Sequence, residues 1–483
     1  MAQVAQLALA LTPPYPVSEE QKLEWLRKGR IIHYPAERPV HLSVSSWDSI
    51  RTVRAGMLLS LFDRASRSCP VPIRLKHAII EGDFRLRHLI CSFEFSATEE
   101  CAFTSEVDFS YTKFDGILDL SSASFAKRAR LDFAHCGYDL RLNRAEFLDE
   151  ASFVGISVGG RLNGRGACFS SRANFAGIHC SQIASFRSET PDQLDQGITT
   201  FTKDAAFLDA KFDGTIDFDG VQFAGKLDFS RCSVAGNAFF RPVHLLGSHH
   251  RMPVRFMGTV SFTDSVIGGS AVFEFAEFGK ELRLNRARVG GGLYCKEALF
   301  GPGARAVFDN LQTGGPAFFD GAQFAAAVNF ESVQIKGSLS FRGNVDKTLP
   351  TRFGDAASFK DCVIGGNASF GGANFWGRGE PSKRVAADFS RVRIGGSAFF
   401  GALGTAGQSL LQTRFMGKAY FDDLSVQGVC IFGGALFSGD LYFRRAQVGS
   451  STYFAPIEIG EQMAHTYLAG ASNFHREPIP REH

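Results

Sequence analysis

The chain has 483 residues, with 52 Lys and Arg against 49 Asp and Glu, a formal charge of +3 with histidines neutral. So balanced a charge lacks the concentrated positive field of a phosphate binder, and direct nucleic-acid binding is not expected. No run approaches the roughly 18 apolar residues that span a bilayer, and the opening MAQVAQLALALTPP lacks the basic start of a secretory signal, so a cytoplasmic protein with no membrane partner is expected.

Residues 1–72 read as a helical N-terminal cap or docking region. In PVSEEQKLEWLRKG, Ser18 is the expected N-cap and Gln21 closes a capping box, Leu23 and Leu26 share an apolar side, and Gly29 ends the helix. Asp48 is expected to cap a second helix from Ser49 to about Ala65, with Ile50, Val53, Met57, Leu58 and Leu61 as its apolar stripe. CPVPIRL then ends the helical pattern.

From residue 73 to residue 454 large apolar residues recur at alternating steps of five and six. Phe207, Phe212, Phe218, Phe223, Phe229, Val234 and Phe240 show the rule, and Phe421, Val426, Phe432, Phe437, Phe443, Val448 and Phe454 repeat it. Neither a helix of period 3.6 nor a flat strand of period 2 turns such positions toward one core. A coiled ribbon does, if each unit gives a very short strand with two inward side chains followed by a corner. Fixed-period similarity of this length marks an all-β solenoid whose units share one continuous core, with about 15 coils if four faces make a turn. Most of the 48 Phe fall on these rungs. Gly116, Gly155, Gly177 and Gly214, two residues past a rung, read as corner residues. Asp108, Asp217, Asp228 and Asp388, just before rungs, are expected to point outward on separate faces, which assigns no paired general acid and base.

Units such as AKFDG, VQFAG, ANFAG and AQFAA resemble the pentapeptide-repeat family. The resemblance implies a right-handed quadrilateral β-helix with the rung residue inward. The extra residue in alternate faces departs from the family's strict five-residue unit and predicts a widened or distorted coil. Some proteins of the family, by resemblance, protect topoisomerases as nucleic-acid mimics. A topoisomerase-binding DNA mimic is therefore an alternative, although mimicry needs a negative surface and the mean charge here has the opposite sign.

The interruptions of the ladder are informative. Long steps at Phe186 to Phe201, Phe240 to Phe256, Phe341 to Phe353 and Phe400 to Phe415 all replace the same one of four faces, so they are expected to project from one side. Two more, Phe300 to Phe308 and Phe375 to Phe389, belong to the adjacent side. Loops on a rigid scaffold commonly carry binding. The candidate partner contacts are Asp192 and Asp195 in SETPDQLDQGITT, His244, His249, His250 and Arg251 in RPVHLLGSHHR, Lys347, and Arg378 and Lys383 around GEPSKRVAA. The three histidines lack a Cys or carboxylate at ligand spacing, so the loop reads as basic and no metal or other cofactor is expected. Residues 455–483 read as a C-terminal cap, with a short closing helix in EIGEQMAHTYLAGASNF and a polar tail.

The ten cysteines form no metal-spaced pairs. Cys91, Cys136, Cys180 and Cys295 occupy rungs, and Cys101, Cys232, Cys362 and Cys430 occupy the small inward position, so they read as buried thiols. Cys69 and Cys168 are expected at the surface. Nucleotide-binding, zinc-hydrolase and serine-hydrolase motifs are absent from the sequence. The expected function is a noncatalytic protein-protein interaction scaffold that uses its projecting loops, its N-terminal helical region, or both. An unidentified protein partner and a homo-oligomer formed through a solenoid end are the partners considered, with an unrecognised enzyme as a further alternative.

Overall fold

The computed structural model describes residues 15–37, 44–63, 65–189, 197–244, 250–380, 384–404, 410–459, 462–468 and 472–475. It is a β-helix solenoid of very short parallel strands on four faces, with a small helical N-terminus. The chain divides into two compact units, residues 1–214 and 215–483. Among the described residues no helix is long and apolar enough to cross a membrane.

One coil of the first unit defines the faces, numbered I to IV in chain order. Its strands are Leu118–Asp119, Ser124–Phe125, Ala129–Arg130 and His135–Cys136. Each pairs in parallel with the strand one coil later, as Leu118 with Leu140 and Phe125 with Phe147.

The alternation of five and six has a backbone cause. Where face I meets II, and III meets IV, the five-residue step turns through a left-handed residue: Ser122 at φ 55°, Phe133 at 55°, Arg144 at 53°. Ala123 N–H donates to the Leu120 carbonyl at 3.2 Å, giving the type II pattern with positive φ at the third position. At the other two corners the sixth residue supplies the bend without a left-handed conformation. The corner glycines therefore divide in two. Gly155 and Gly177 hold positive φ, whereas a Cβ on Gly116 would come within 2.6 Å of the Phe93 and Glu94 backbone one coil away.

Rungs stack on rungs. On face II of the first unit Phe103, Phe125, Phe147, Phe169 and Phe201 lie 4.7–5.0 Å apart between successive ring centroids. On face II of the second unit Phe353, Phe375, Phe415 and Phe437 follow at 4.5, 4.8 and 4.7 Å. These separations match the interstrand spacing of about 4.8 Å, so the backbone ladder and the ring stack share one pitch.

The N-terminal region departs from a purely helical cap. Helix α1, Glu19–Arg27, forms as expected, with both capping-box bonds between Ser18 and Gln21. The expected second helix is instead α2, Val44–Arg51, then a strand, Thr52–Arg54, then α3, Ala55–Leu59. The strand pairs with Ile79–Glu81 on face II, while Ile32–His33 pairs on face I and Ser68–Cys69 on face IV. An open solenoid end presents unpaired backbone groups, and satisfying them outweighs helix propensity in residues 52–54. Lys22 of α1 lies buried over this strand, its ammonium donating to the Thr52 carbonyl at 2.6 Å, and burial lowers its pKa.

The C-terminal segment also differs from its expected helix. Ile457–Ile459 and Gln462–Ala464 form an antiparallel hairpin, after which Tyr467–Leu468 and Ser472–His475 pair on faces II and III. Parallel pairing therefore continues beyond residue 454.

All ten cysteines are free thiols, and nine are buried. Cys69 is among them at 1% exposure, because its strand has entered face IV, so its expected surface position is corrected. Burial pushes the Cys101, Cys136 and Cys362 thiols up to about 12. The half-buried Cys168 should be the only thiol to react rapidly with an aromatic disulfide reagent in the native protein, with all ten reacting in denaturant. Rapid native labelling that persists in Cys168→Ser would contradict this placement.

Candidate interaction site

The insertions lie where the ladder places them. In the first unit, residues 187–199 link face I to face II; in the second, residues 241–254, 342–351 and 401–413 make the same link. Residues 301–305 and 376–384 link face II to face III. A further I-to-II insertion, residues 455–466, escaped the sequence reading because it was assigned to the C-terminal cap.

These I-to-II loops share a local device. One coil before each insertion the left-handed corner is glycine, and the insertion's chain folds back over it. The Thr two residues before the next rung position then accepts the glycine N–H: Gly166 to Thr199 at 2.8 Å, Gly321 to Thr351 at 2.8 Å, Gly372 to Thr413 at 2.9 Å and Gly434 to Thr466 at 2.9 Å. In the 241–254 loop Val254 takes the Thr position, and Gly220 N–H donates to the Arg241 carbonyl at 2.9 Å, a bond that Gly321 N–H also makes to the Arg342 carbonyl at 2.9 Å. The described parts of these loops include antiparallel contacts, Val243 with Met252, Asn344 with Leu349 and Leu403 with Leu411.

Of the residues singled out from the sequence, Asp192, Asp195, His249 and Lys383 lie outside the described residues. His244 and Arg251 face each other across the 241–254 hairpin, and His244, His250 and Arg251 are exposed. Arg251 and Lys347 come from different loops yet meet over one ring. Their cationic groups sit 4.7 and 5.3 Å from the centroid of Phe275, and Lys347 Nζ also reaches Glu297 Oε1 at 2.7 Å. Arg378 stands apart from them, paired with Asp355 at 2.9 Å. The 241–254 and 342–351 loops thus lie along the corner as a ridge.

Beside that ridge runs the outer surface of face I in the second unit. Strand register sets Phe239, Val272, Tyr294, Phe318, Ser340, Ser369, Phe399, Ile431 and Tyr453 in one outward column. In the first unit the corresponding column is Ser96, Asp119, Arg141, Asn163 and Ser185. Outward strand positions are ordinarily polar, as in the first unit; in the second unit this column is largely aromatic and aliphatic, half-buried at Phe239, Tyr294, Phe318, Phe399 and Ile431 and exposed at Tyr453.

The column is shaped as well as apolar. Ser340 and Ser369 leave a gap between Phe318 and Phe399, opening a groove of about 480 Å³. Its floor and sides include Phe318, Phe399 and Ile431, and the loop residues Ala402 and Leu403 form a wall. Cations flank the aromatic rings, Arg241 lying 4.0 Å from the centroid of Phe239 and Lys296 5.4 Å from that of Phe318. Arg241 is itself anchored to the buried Asp219, at 2.8 Å. On the opposite border, where face IV meets face I, Gly268 and Gly269, Gly290 and Gly291, and Gly314 and Gly315 stack and leave bare backbone. A Cβ on Gly290 would collide with the Gly268 carbonyl oxygen.

Comparison with protein-family models, curated proteins and solved structures returned no match. No relative's activity therefore bears on this face.

The sequence reading missed the column because it followed only inward positions. Its signal is the doublet AFF at residues 238–240, 317–319 and 398–400, in which the second Phe is the rung and the first faces out.

The carboxylates before rungs serve the backbone. Asp108, Asp217, Asp228 and Asp388 each accept, at 3.0 Å, the N–H two residues on. Asp108, Asp228 and Asp388 share face III and only Asp217 is on face I, which corrects the expectation of separate faces. Another face III surface, a hollow of about 290 Å³, includes Glu331, Lys360 and Asp388. There Ser358 Oγ lies 2.8 Å from Glu331 and Lys360 Nζ lies 3.2 Å from Asp388. Nearby, burial and then the Glu331 charge raise the Asp309 carboxyl, whose Oδ2 accepts from Asn285 at 3.2 Å.

Proposed function

We propose that this protein is a noncatalytic interaction scaffold whose second unit docks an apolar segment of a partner protein along the outward column from Phe239 to Tyr453. The observation that carries this reading is the replacement of polar outward residues by Phe, Tyr, Val and Ile on face I, next to a walled groove. Aromatic anchors with a neighbouring Arg, as at Phe239 and Arg241, are the composition of interface hot spots. The loops serve in this reading as the groove's wall and as polar contacts, with Arg251 and Lys347 presenting charge at its rim. The inward pairs on four faces support the resemblance to the pentapeptide-repeat family. The N-terminal region and a solenoid end are the further surfaces proposed for partners or self-association, and a cytoplasmic setting remains part of the proposal.

The DNA-mimic reading is less well supported. On the III-to-IV corner of the second unit, Arg286 pairs with Asp264, Arg391 with Asp361 and Arg445 with Asp423, each at 2.7 Å. Such pairs offset the negative charge that phosphate mimicry requires.

The test is the triple variant Phe318→Ser, Phe399→Ser and Ile431→Ser. Ser340 and Ser369 already occupy the same column, so serine suits the strand geometry and the fold should persist. A partner recovered by the wild-type protein should bind at least about a hundredfold more weakly, from roughly 1–2 kcal/mol per lost anchor. Undiminished affinity with intact folding would refute docking on face I.

A further inference from the structure

At the N-terminal end of the first unit, three side chains with metal-ligating atoms converge from three successive layers. His33 ends the cap strand Ile32–His33, which pairs with Leu75–Lys76. His77 follows as the left-handed corner of the next layer, at φ 53°, and Glu99 occupies the corner after that, at φ 50°. The layers are tied by backbone, His77 N–H donating to the Glu99 carbonyl at 3.0 Å. The side chains therefore meet because strand register stacks the corners.

Their geometry does not suit direct hydrogen bonding. Glu99 Oε2 stands 3.8 Å from His33 Nε2 and 3.5 Å from His77 Nε2, beyond the roughly 2.7–3.2 Å of an N–H to O bond. The three ligand atoms all lie within 4.8 Å of one another. A tetrahedral ion bound at about 2.0–2.2 Å from each would set ligand atoms roughly 3.3 Å apart. A few tenths of an ångström of closure would bring Glu99 within that spacing of each histidine, and the exposed His33 ring is placed to move.

The surroundings also resemble a metal centre's outer layer. Glu99 Oε1 accepts from Lys76 Nζ at 2.5 Å, which orients the carboxylate and leaves Oε2 toward the histidines. Glu100 Oε2 lies 3.8 Å from His77 Nδ1, on the side of the ring away from the cluster. At that distance Glu100 places negative charge near the ring without a hydrogen bond to orient it. The two imidazoles stack with centroids 5.8 Å apart and planes 20° apart. The nearby Lys76 charge is paired with Glu99.

We infer that His33, His77 and Glu99 bind one divalent transition-metal ion of the zinc class, pinning the N-terminal cap strand to the first layers of the solenoid. Two imidazoles and one carboxylate suit Zn²⁺ and leave a fourth position for water. Because the ligands come from separate layers, the ion would add a cross-link to the strand pairing and to the core packing of Ile32 and Tyr34 that hold the cap strand.

The experiment uses the untagged full-length protein, stripped with chelator and titrated with Zn²⁺ against a chromophoric competitor, with Co²⁺ as a spectroscopic probe. One ion per chain is expected in the wild type, with Co²⁺ giving the visible bands of a low-coordinate site. Glu99→Gln, His77→Ala and His33→Ala should each weaken binding at least about tenfold. The double variant His244→Ala and His250→Ala, in the second unit, should leave it unchanged. Zn²⁺ should also slow proteolysis of residues 28–78 in the wild type and in that control, but not in the three ligand variants. If His77→Ala fails to fold, the exposed His33 and the isosteric Glu99→Gln replacement supply the same readings. Wild-type binding no tighter than in Glu99→Gln and His33→Ala, or loss of the ion in the His244 and His250 control, would overturn the assignment.

Discussion

Phe375→Ala is expected to cost about 3–5 kcal/mol, the range for removing a buried aromatic ring, and to loosen the second unit locally. Phe375 is fully buried between Phe353 at 4.5 Å and Phe415 at 4.8 Å, with interplanar angles of 3° and 1°. Both neighbours lose a stacking face, and backbone ladders above and below hinder collapse of the cavity. In a solenoid each layer contacts mainly its neighbours, so damage spreads through nearest-neighbour terms. Hydrogen exchange read by mass spectrometry should show faster exchange in Arg352–Phe353, Asn374–Phe375 and Arg414–Phe415, with the distant layers of the same unit near wild type. The outward Phe399→Ser, beside the inward rung Phe400, should change stability by less than about 1 kcal/mol. Equal effects of the two substitutions would show that inward stacking is not the dominant contribution.

Gly372→Val should destabilise by about 2–4 kcal/mol, through two separate costs. The residue has φ 73°, where a β-branched side chain is strained, and a Cβ there would stand 2.8 Å from Leu411 Cβ. Gly303→Ala is the control: its φ is 82°, but nothing lies within 4 Å of the added carbon, so only the backbone cost of about 1–2 kcal/mol applies. Since Gly372 N–H also donates to Thr413, Gly372→Val should release the described part of the 401–413 loop and disturb the wall formed by Ala402 and Leu403. Limited proteolysis compared with the thermal transition tests this. A stability loss no greater than that of Gly303→Ala would show that the loop yields without strain.

The repeat was legible because each rung is a local choice made many times. Phe207, Phe212, Phe218 and Phe223 report inward positions at steps of five and six; four faces per coil were what the resemblance implied, and with them the side carrying the insertions follows from counting. The capping box at Ser18 and Gln21 was equally readable, since its partners lie within one helical turn. Residues 52–54 were not. Their apolar spacing suits a helix, but the exposed edge of Ile79–Glu81 supplies backbone partners from a distant segment. Cys69 was misplaced for the same reason.

By itself, the sequence determined the period, the inward set and the corner from which most loops depart, because these depend on residue spacing within a coil. Only the tertiary structure decided which outward residues stand in register between coils. That register aligns Phe239, Tyr294, Phe318 and Phe399 on one face, brings Arg251 and Lys347 over Phe275, and sets His33 beside His77 and Glu99. Each of these groups draws residues from different coils or loops. Their proximity arises from parallel pairing at about 4.8 Å per layer, a distance that sequence separation does not express.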